Sequence, residues 1–187
     1  MILELLQTNI LFLIPWIVAV LLAIGLHEFA HALAAYVQGD DTAQLQGRLT
    51  PNPLVHVDWL GFVLLLLVGF GWGKPTPFNP YNLKYKKWGS AIVSLAGPSS
   101  NVIMLVIALS LLKLLGFTNI YWPVSTNLLE VFLLFMAQIN LVLFVFNLLP
   151  VPPLDGSKVL YTFLGQRRQG LITTLETQGP WLSLIHI

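Results

Sequence analysis

Cysteine is absent from this 187-residue chain, which removes disulfide frameworks, thiolate nucleophiles and Cys-ligated metals without identifying a compartment. Charge is scarce as well: only 9% of residues are Asp, Glu, Lys or Arg, against about a quarter in average soluble domains. The formal net charge of +1 argues for neither nucleic acid nor an acidic substrate as partner. Long polar stretches, internal repeats and low-complexity tracts are missing, so residues 1–187 read as a single domain with no room for an appended soluble one. The first residues, Met1-Ile2-Leu3-Glu4, carry no basic region and no small-residue cleavage pattern, so a removable signal peptide is not expected.

Apolar sequence fills the space that charge leaves, with 56% of residues hydrophobic. Charge gaps mark four blocks: about Ile10 to Val37, Trp59 to Phe70, Trp88 to Leu115, and Asn127 to Leu149. Three are long enough for the ~20 residues that cross a bilayer as helix, whereas the second has about twelve and is flanked by glycines. The expected fold is an all-α polytopic membrane protein: a transmembrane helix bundle with a short re-entrant or extended membrane-associated segment. Lys74-Pro75-Thr76-Pro77-Phe78-Asn79-Pro80 blocks helix and favours an extended edge or loop. A short amphipathic segment follows Asp155 as far as Arg167-Arg168. The last stretch, Leu171 to Ile187, stops inside an apolar run, the pattern of a helix cut short.

Inside the first apolar block lies His27-Glu28-Phe29-Ala30-His31. On a helix the two histidines at i and i+4 share a face and can share a tetrahedral zinc, with Glu28 placed to act on a metal-bound water. A buried histidine is ordinarily a hydrogen-bonded core residue, but three ionisable groups within five residues at membrane depth cost roughly 2.5–3.5 kcal/mol each and call for a compensating partner.

A catalytic zinc takes three protein ligands and one open position. Asn147-Leu148-Leu149-Pro150-Val151-Pro152-Pro153-Leu154-Asp155-Gly156 supplies a candidate third donor in Asp155, although a Pro-terminated helix and an Asp-Gly turn explain that stretch without any function. Topology decides between them. If the second block crosses the membrane, the first and fourth blocks run antiparallel and Asp155 lies far from the histidines. If it is re-entrant, as its length favours, they run parallel and the site closes. The parallel arrangement also gathers every basic residue but Lys113 on one side, which places the site toward the cytoplasm.

Taken in order, His27-Glu28-Phe29-Ala30-His31-Ala32, Ala96-Gly97-Pro98-Ser99-Ser100-Asn101 and the Asn147–Gly156 stretch resemble the site-2 protease family of intramembrane zinc metalloproteases. Gly47-Arg48-Leu49-Thr50, Asn52-Pro53, His56-Val57-Asp58 and Gly71-Trp72-Gly73-Lys74-Pro75 are similar to its compact bacterial and archaeal members. The resemblance implies one Zn2+ per chain on His27, His31 and Asp155, Glu28 as general base, and Asn147 as a contact to the substrate carbonyl. An amide bonding between helices explains Asn147 equally well, and Asn140 better. Gly97-Pro98 reads as a kink and close helix approach, and His56 and Asp58 as polar groups satisfied within a re-entrant loop. The implied partners are the lipid bilayer and transmembrane-helix protein substrates, in a prokaryotic cell membrane. The extended Gly73–Pro80 loop can pair with an unwound substrate by strand addition. Two rivals remain: a water-facing HExxH protease with a Glu ligand, for which only Glu130 and Glu176 lie far downstream, and a non-catalytic zinc scaffold or metal transporter.

Overall fold

The computed structural model describes residues 10–69, 71–117, 127–164, 170 and 172–177. A 3-10 turn, Ile10–Phe12, leads into α1, Leu13–Val37; α2 is the single turn Thr42–Leu45. After a second 3-10 turn, Pro53–His56, come α3, Trp59–Val68, α4, Gly89–Leu114, α5, Leu128–Asn147, and α6, Asp155–Leu164. Three helical stretches, Ile10–Val37, Gly89–Leu114 and Leu128–Asn147, are long and apolar enough to cross a membrane. These bounds lie within two residues of those expected from charge gaps. Arg167-Arg168 and most of Leu171 to Ile187 lie outside the described residues.

Local chemistry sets the helix ends. After α1 the chain turns at Gly39, whose φ of +95° suits glycine, and its amide bonds back to the Tyr36 carbonyl. Asp58 caps α3 by accepting from the Gly61 amide at 3.0 Å, and Asn127 caps α5 through the Leu129 amide at 3.0 Å. Pro150 and the turn after it prevent α5 from continuing.

Side-chain packing fixes the helix directions. Phe12, in the turn leading into α1, and Trp16, in its first turn, belong to one buried cluster with Val131 and Phe135 from the start of α5 and Ala108 from late α4. At the other end His31 of α1 meets the Val93 carbonyl near the start of α4, and Asp155 just past α5. Helices α1 and α5 therefore run parallel, with α4 antiparallel between them.

The ten residues of α3 span about 15 Å at ~1.5 Å per residue, half of a ~30 Å hydrocarbon layer. Val57 before α3 forms an antiparallel bridge with Gly73 after it, and the Lys74 amide donates to the His56 carbonyl at 2.9 Å. The chain thus leaves and returns at one place: the segment is re-entrant. The returning arm touches α3 backbone to backbone, since a Cβ on Gly61 would come within 2.9 Å of the Trp72 nitrogen. The turn before the hairpin seats on α1, where a Cβ on Gly25 would stand 2.6 Å from the Cβ of Pro53.

Candidate metal centre

Asp155 Oδ2 lies 3.1 Å from His27 Nε2 and 3.1 Å from His31 Nε2, and the two nitrogens are 3.0 Å apart. All three residues are buried. A 25-residue helix supplies the histidines one turn apart, and the first residue of α6, reached by the turn after α5, supplies the carboxylate. A close backbone turn holds Asp155 there, because a Cβ on neighbouring Gly156 would collide with the Leu148 and Leu149 carbonyls.

The protonation of this triangle follows from its outer hydrogen bonds. The Val93 carbonyl can only accept, so His31 Nδ1 carries the proton of that 2.7 Å bond and its Nε2 carries a lone pair. For His27 the chain of inference starts one helix away. The Met136 carbonyl accepts from Asn140 Nδ2 at 2.8 Å, so Asn140 Oδ1 accepts from Asn101 Nδ2 at 2.8 Å, which leaves Asn101 Oδ1 to accept from His27 Nδ1 at 2.7 Å. His27 Nε2 therefore also presents a lone pair. Two imidazole lone pairs and a carboxylate oxygen converge in a buried space, an arrangement that repels itself unless a cation lies between them. Bond lengths of 2.0–2.1 Å place tetrahedral zinc ligands about 3.3–3.4 Å apart, close to the separations found. The donor set of two nitrogens and one oxygen fits zinc, and these three residues form the candidate metal group among the described residues.

Room for the imidazoles comes from α4. A Cβ on Gly97 would stand 2.6 Å from both His27 Cε1 and His31 Cε1. Gly97 thus serves the site directly, beyond the kink and close helix approach expected of Gly97-Pro98.

Glu28 follows His27 directly, about 100° further around α1. Its Oε2 accepts from the Thr76 amide at 2.8 Å, and its carbonyl accepts from the Thr76 hydroxyl at 3.0 Å. The extended Lys74–Pro77 segment therefore lies against the HExxH turn. Asn147 is partly exposed and its Nδ2 donates to the Leu143 carbonyl of its own helix at 3.0 Å, outside the triangle. Asn140 is fully buried and bonds across to α4, the inter-helix role expected of it. His56 Nε2 bonds the Thr50 carbonyl at 2.9 Å, and burial, aided by nearby Arg48, holds its pKa below the ordinary histidine value. Asp58 is the helix cap already described. Glu130 sits in the first turn of α5, at the far end of the bundle from the histidines.

Four contributors carried no role in the sequence: Asn101, the Val93 carbonyl, Thr76 and Arg48. Asn101 had a signal, since an amide in mid-helix at membrane depth must find hydrogen bonds. The Val93 carbonyl and Thr76 amide are backbone groups, whose donors and acceptors every sequence has.

Comparison with known proteins adds a separate line. The profile of Peptidase family M50 matches residues 15–178. YwhC of Bacillus subtilis (strain 168) is 42% identical over 170 residues, covering 89% of this chain and 77% of its own length. Rip2 of Mycolicibacterium smegmatis (strain ATCC 700084 / mc(2)155) is 31% identical over 166 residues, 85% of this chain and 61% of that one. Rip2 of Mycobacterium tuberculosis (strain ATCC 25618 / H37Rv) is 31% identical over 153 residues, 80% and 57% respectively. The chain thus spans less than two thirds of either mycobacterial relative. All three names record a zinc metalloprotease as assigned rather than demonstrated. No solved structure matches the chain.

Proposed function

We propose, from the premise that the chain belongs to peptidase family M50, that this zinc metalloprotease hydrolyses peptide bonds within or beside transmembrane segments of other membrane proteins, as in regulated intramembrane proteolysis. The observation that carries the proposal is the convergence of His27, His31 and Asp155 between helices long enough to cross a bilayer, with Glu28 on the same turn. In this reading the three side chains are the metal ligands. Zinc bound there supplies acidification of water toward a pKa of ~7 and polarisation of a peptide carbonyl.

The remaining work falls to the protein. Glu28 takes the proton of the attacking water and passes it to the leaving amine. Asn101 and the Val93 carbonyl hold the imidazoles in the tautomer that presents Nε2 inward. Asn147 contacts the substrate carbonyl if its amide turns away from Leu143. A helical substrate hides its carbonyls in i to i+4 bonds and must unwind before attack. The Lys74–Pro77 segment lies beside the site to receive it. Pro75 and Pro77 lack N–H groups and the Thr76 amide is taken by Glu28, so this edge offers carbonyl acceptors to substrate amides. Positive charge collected at the site's end of the bundle favours a cytoplasmic orientation in a prokaryotic cell membrane.

Cleavage of a single-span model substrate by purified protein tests the reading. Glu28→Gln should keep one zinc per chain and lose most of the ~10²–10⁴-fold that general acid–base catalysis contributes. Retained activity in that variant removes Glu28 from the mechanism.

A further inference from the structure

We propose that Thr76 is a positioning residue for Glu28 and that the buried guanidinium of Arg48 is the pin that keeps it in place. The inference deepens the reading of Glu28 as general base and rests on it. Thr76 grips the HExxH turn at two points: its amide donates to Glu28 Oε2 at 2.8 Å and its hydroxyl to the Glu28 carbonyl at 3.0 Å. Bonding one carboxylate oxygen aims the other, and a hydrogen bond to an ionised acceptor is among the stronger ones available to a protein.

Sequence makes this arm stiff and single-purpose. Pro75 and Pro77 flank Thr76, fix their own φ and restrict the residue before each to extended backbone. Neither proline has an amide hydrogen, so Thr76 carries the only backbone donor between Lys74 and Phe78.

Arg48 is 3% exposed, and a cation so placed must be met by acceptors. Its Nη1 donates to the Val55 carbonyl at 2.6 Å and its Nη2 to the Lys74 carbonyl at 2.5 Å. Those carbonyls belong to the two arms of the α3 hairpin, one before the helix and one after it. The fork of a single guanidinium ties the returning arm to the outgoing one, two residues before Thr76. A lysine at 48 cannot reproduce the fork.

Hydrogen exchange and kinetics test this together. A peptide covering residues 74–78 reports only the amides of Thr76 and Phe78, because Lys74 becomes its N-terminal amine and both prolines lack an amide hydrogen. In detergent-solubilised, zinc-loaded protein, Glu28→Ala and Arg48→Gln should each speed the slower of these by about tenfold or more, the scale of one hydrogen bond to a charged group. Unchanged exchange in both variants overturns the proposal without any need for turnover. With the single-span substrate, Thr76→Pro, which deletes the amide hydrogen and keeps the extended backbone, should lower kcat by about tenfold or more, part of the general-base contribution. KM and zinc content should stay within about twofold of the parent, whereas simple misfolding would move both. Thr76→Val, which loses only the hydroxyl, should lower kcat by less. Arg48→Gln added to Thr76→Pro should cost little more than either alone, because both act on one contact; additive losses count against the link. If Thr76→Pro is fully active while Glu28→Gln is dead, the positioning role fails alone. If Glu28→Gln is active, the general-base reading fails first.

Discussion

At the scale of residues, the site depends on where lone pairs point. A histidine that donates from one ring nitrogen to an acceptor presents the lone pair of the other in a fixed direction, and here Asn101 and the Val93 carbonyl are those acceptors. Removing such an outer partner typically costs 10–100-fold in metal affinity. Asn101→Leu should therefore bind zinc about 10–100-fold more weakly while Glu28 chemistry in saturating zinc persists, a difference that competition with a chelator would measure; unaltered affinity would show that His27 needs no orienting partner. The convergence of His27, His31 and Asp155 was legible in the sequence because the spacing is chemical: two histidines one helical turn apart, and a carboxylate a few residues past another apolar block. Asn101 was visible as a motif residue without a role, since only the fold shows that position 101 of α4 reaches position 27 of α1.

At the scale of elements, the re-entrant hairpin and the loop that follows it decide what faces the site. Length exposed α3 as too short to span, and prolines exposed the Lys74–Pro77 arm as extended. What sequence did not reveal was how the arm is anchored. Part of the answer is Asp40, just past α1, which is fully buried. It accepts from the Thr42 hydroxyl at 2.6 Å, the Asn82 amide group at 3.0 Å and the Asn79 backbone amide at 2.7 Å. Burial opposes ionisation of this carboxyl, but the bonds from Thr42, Asn79 and Asn82 outweigh it and hold its pKa below the ordinary value. A carboxyl depressed in the folded state adds stability above its unfolded pKa of ~3.9, and that stability is lost as pH falls through the folded value. Asp40→Asn should be less stable than the parent at pH 7 by about 1–3 kcal/mol. The gap should narrow below about pH 4, as thermal unfolding in detergent would record; a gap independent of pH would mean that the charge of Asp40 is irrelevant.

At the scale of the whole molecule, everything rests on α1 and α5 running parallel, which a hairpin instead of a crossing makes possible. The absence of cysteine allows a clean test with single substitutions at exposed positions. Leu45→Cys and Tyr81→Cys, 78% and 86% exposed before and after the hairpin, should react with a membrane-impermeant thiol reagent from the same side of oriented vesicles. Leu114→Cys, 80% exposed at the other end of α4, should react only from the opposite side. A crossing α3 would put Leu45 and Tyr81 on different sides. Helix count, order and bounds were readable because a bilayer imposes a minimum apolar length. Which faces meet was not, because helices that are apolar all round show no preferred stripe; small residues such as Gly25 and Gly97, and polar ones such as Asn101 and Asn140, settle the contacts. The most direct test of the site is zinc K-edge X-ray absorption on the purified protein. One zinc per chain should show nitrogen and oxygen neighbours at about 2.0–2.1 Å, two of them imidazoles, and Asp155→Ala should lose that first shell or the metal. A spectrum with fewer than two imidazoles, or one unaltered in Asp155→Ala, would contradict the assignment of His27, His31 and Asp155 as the ligands.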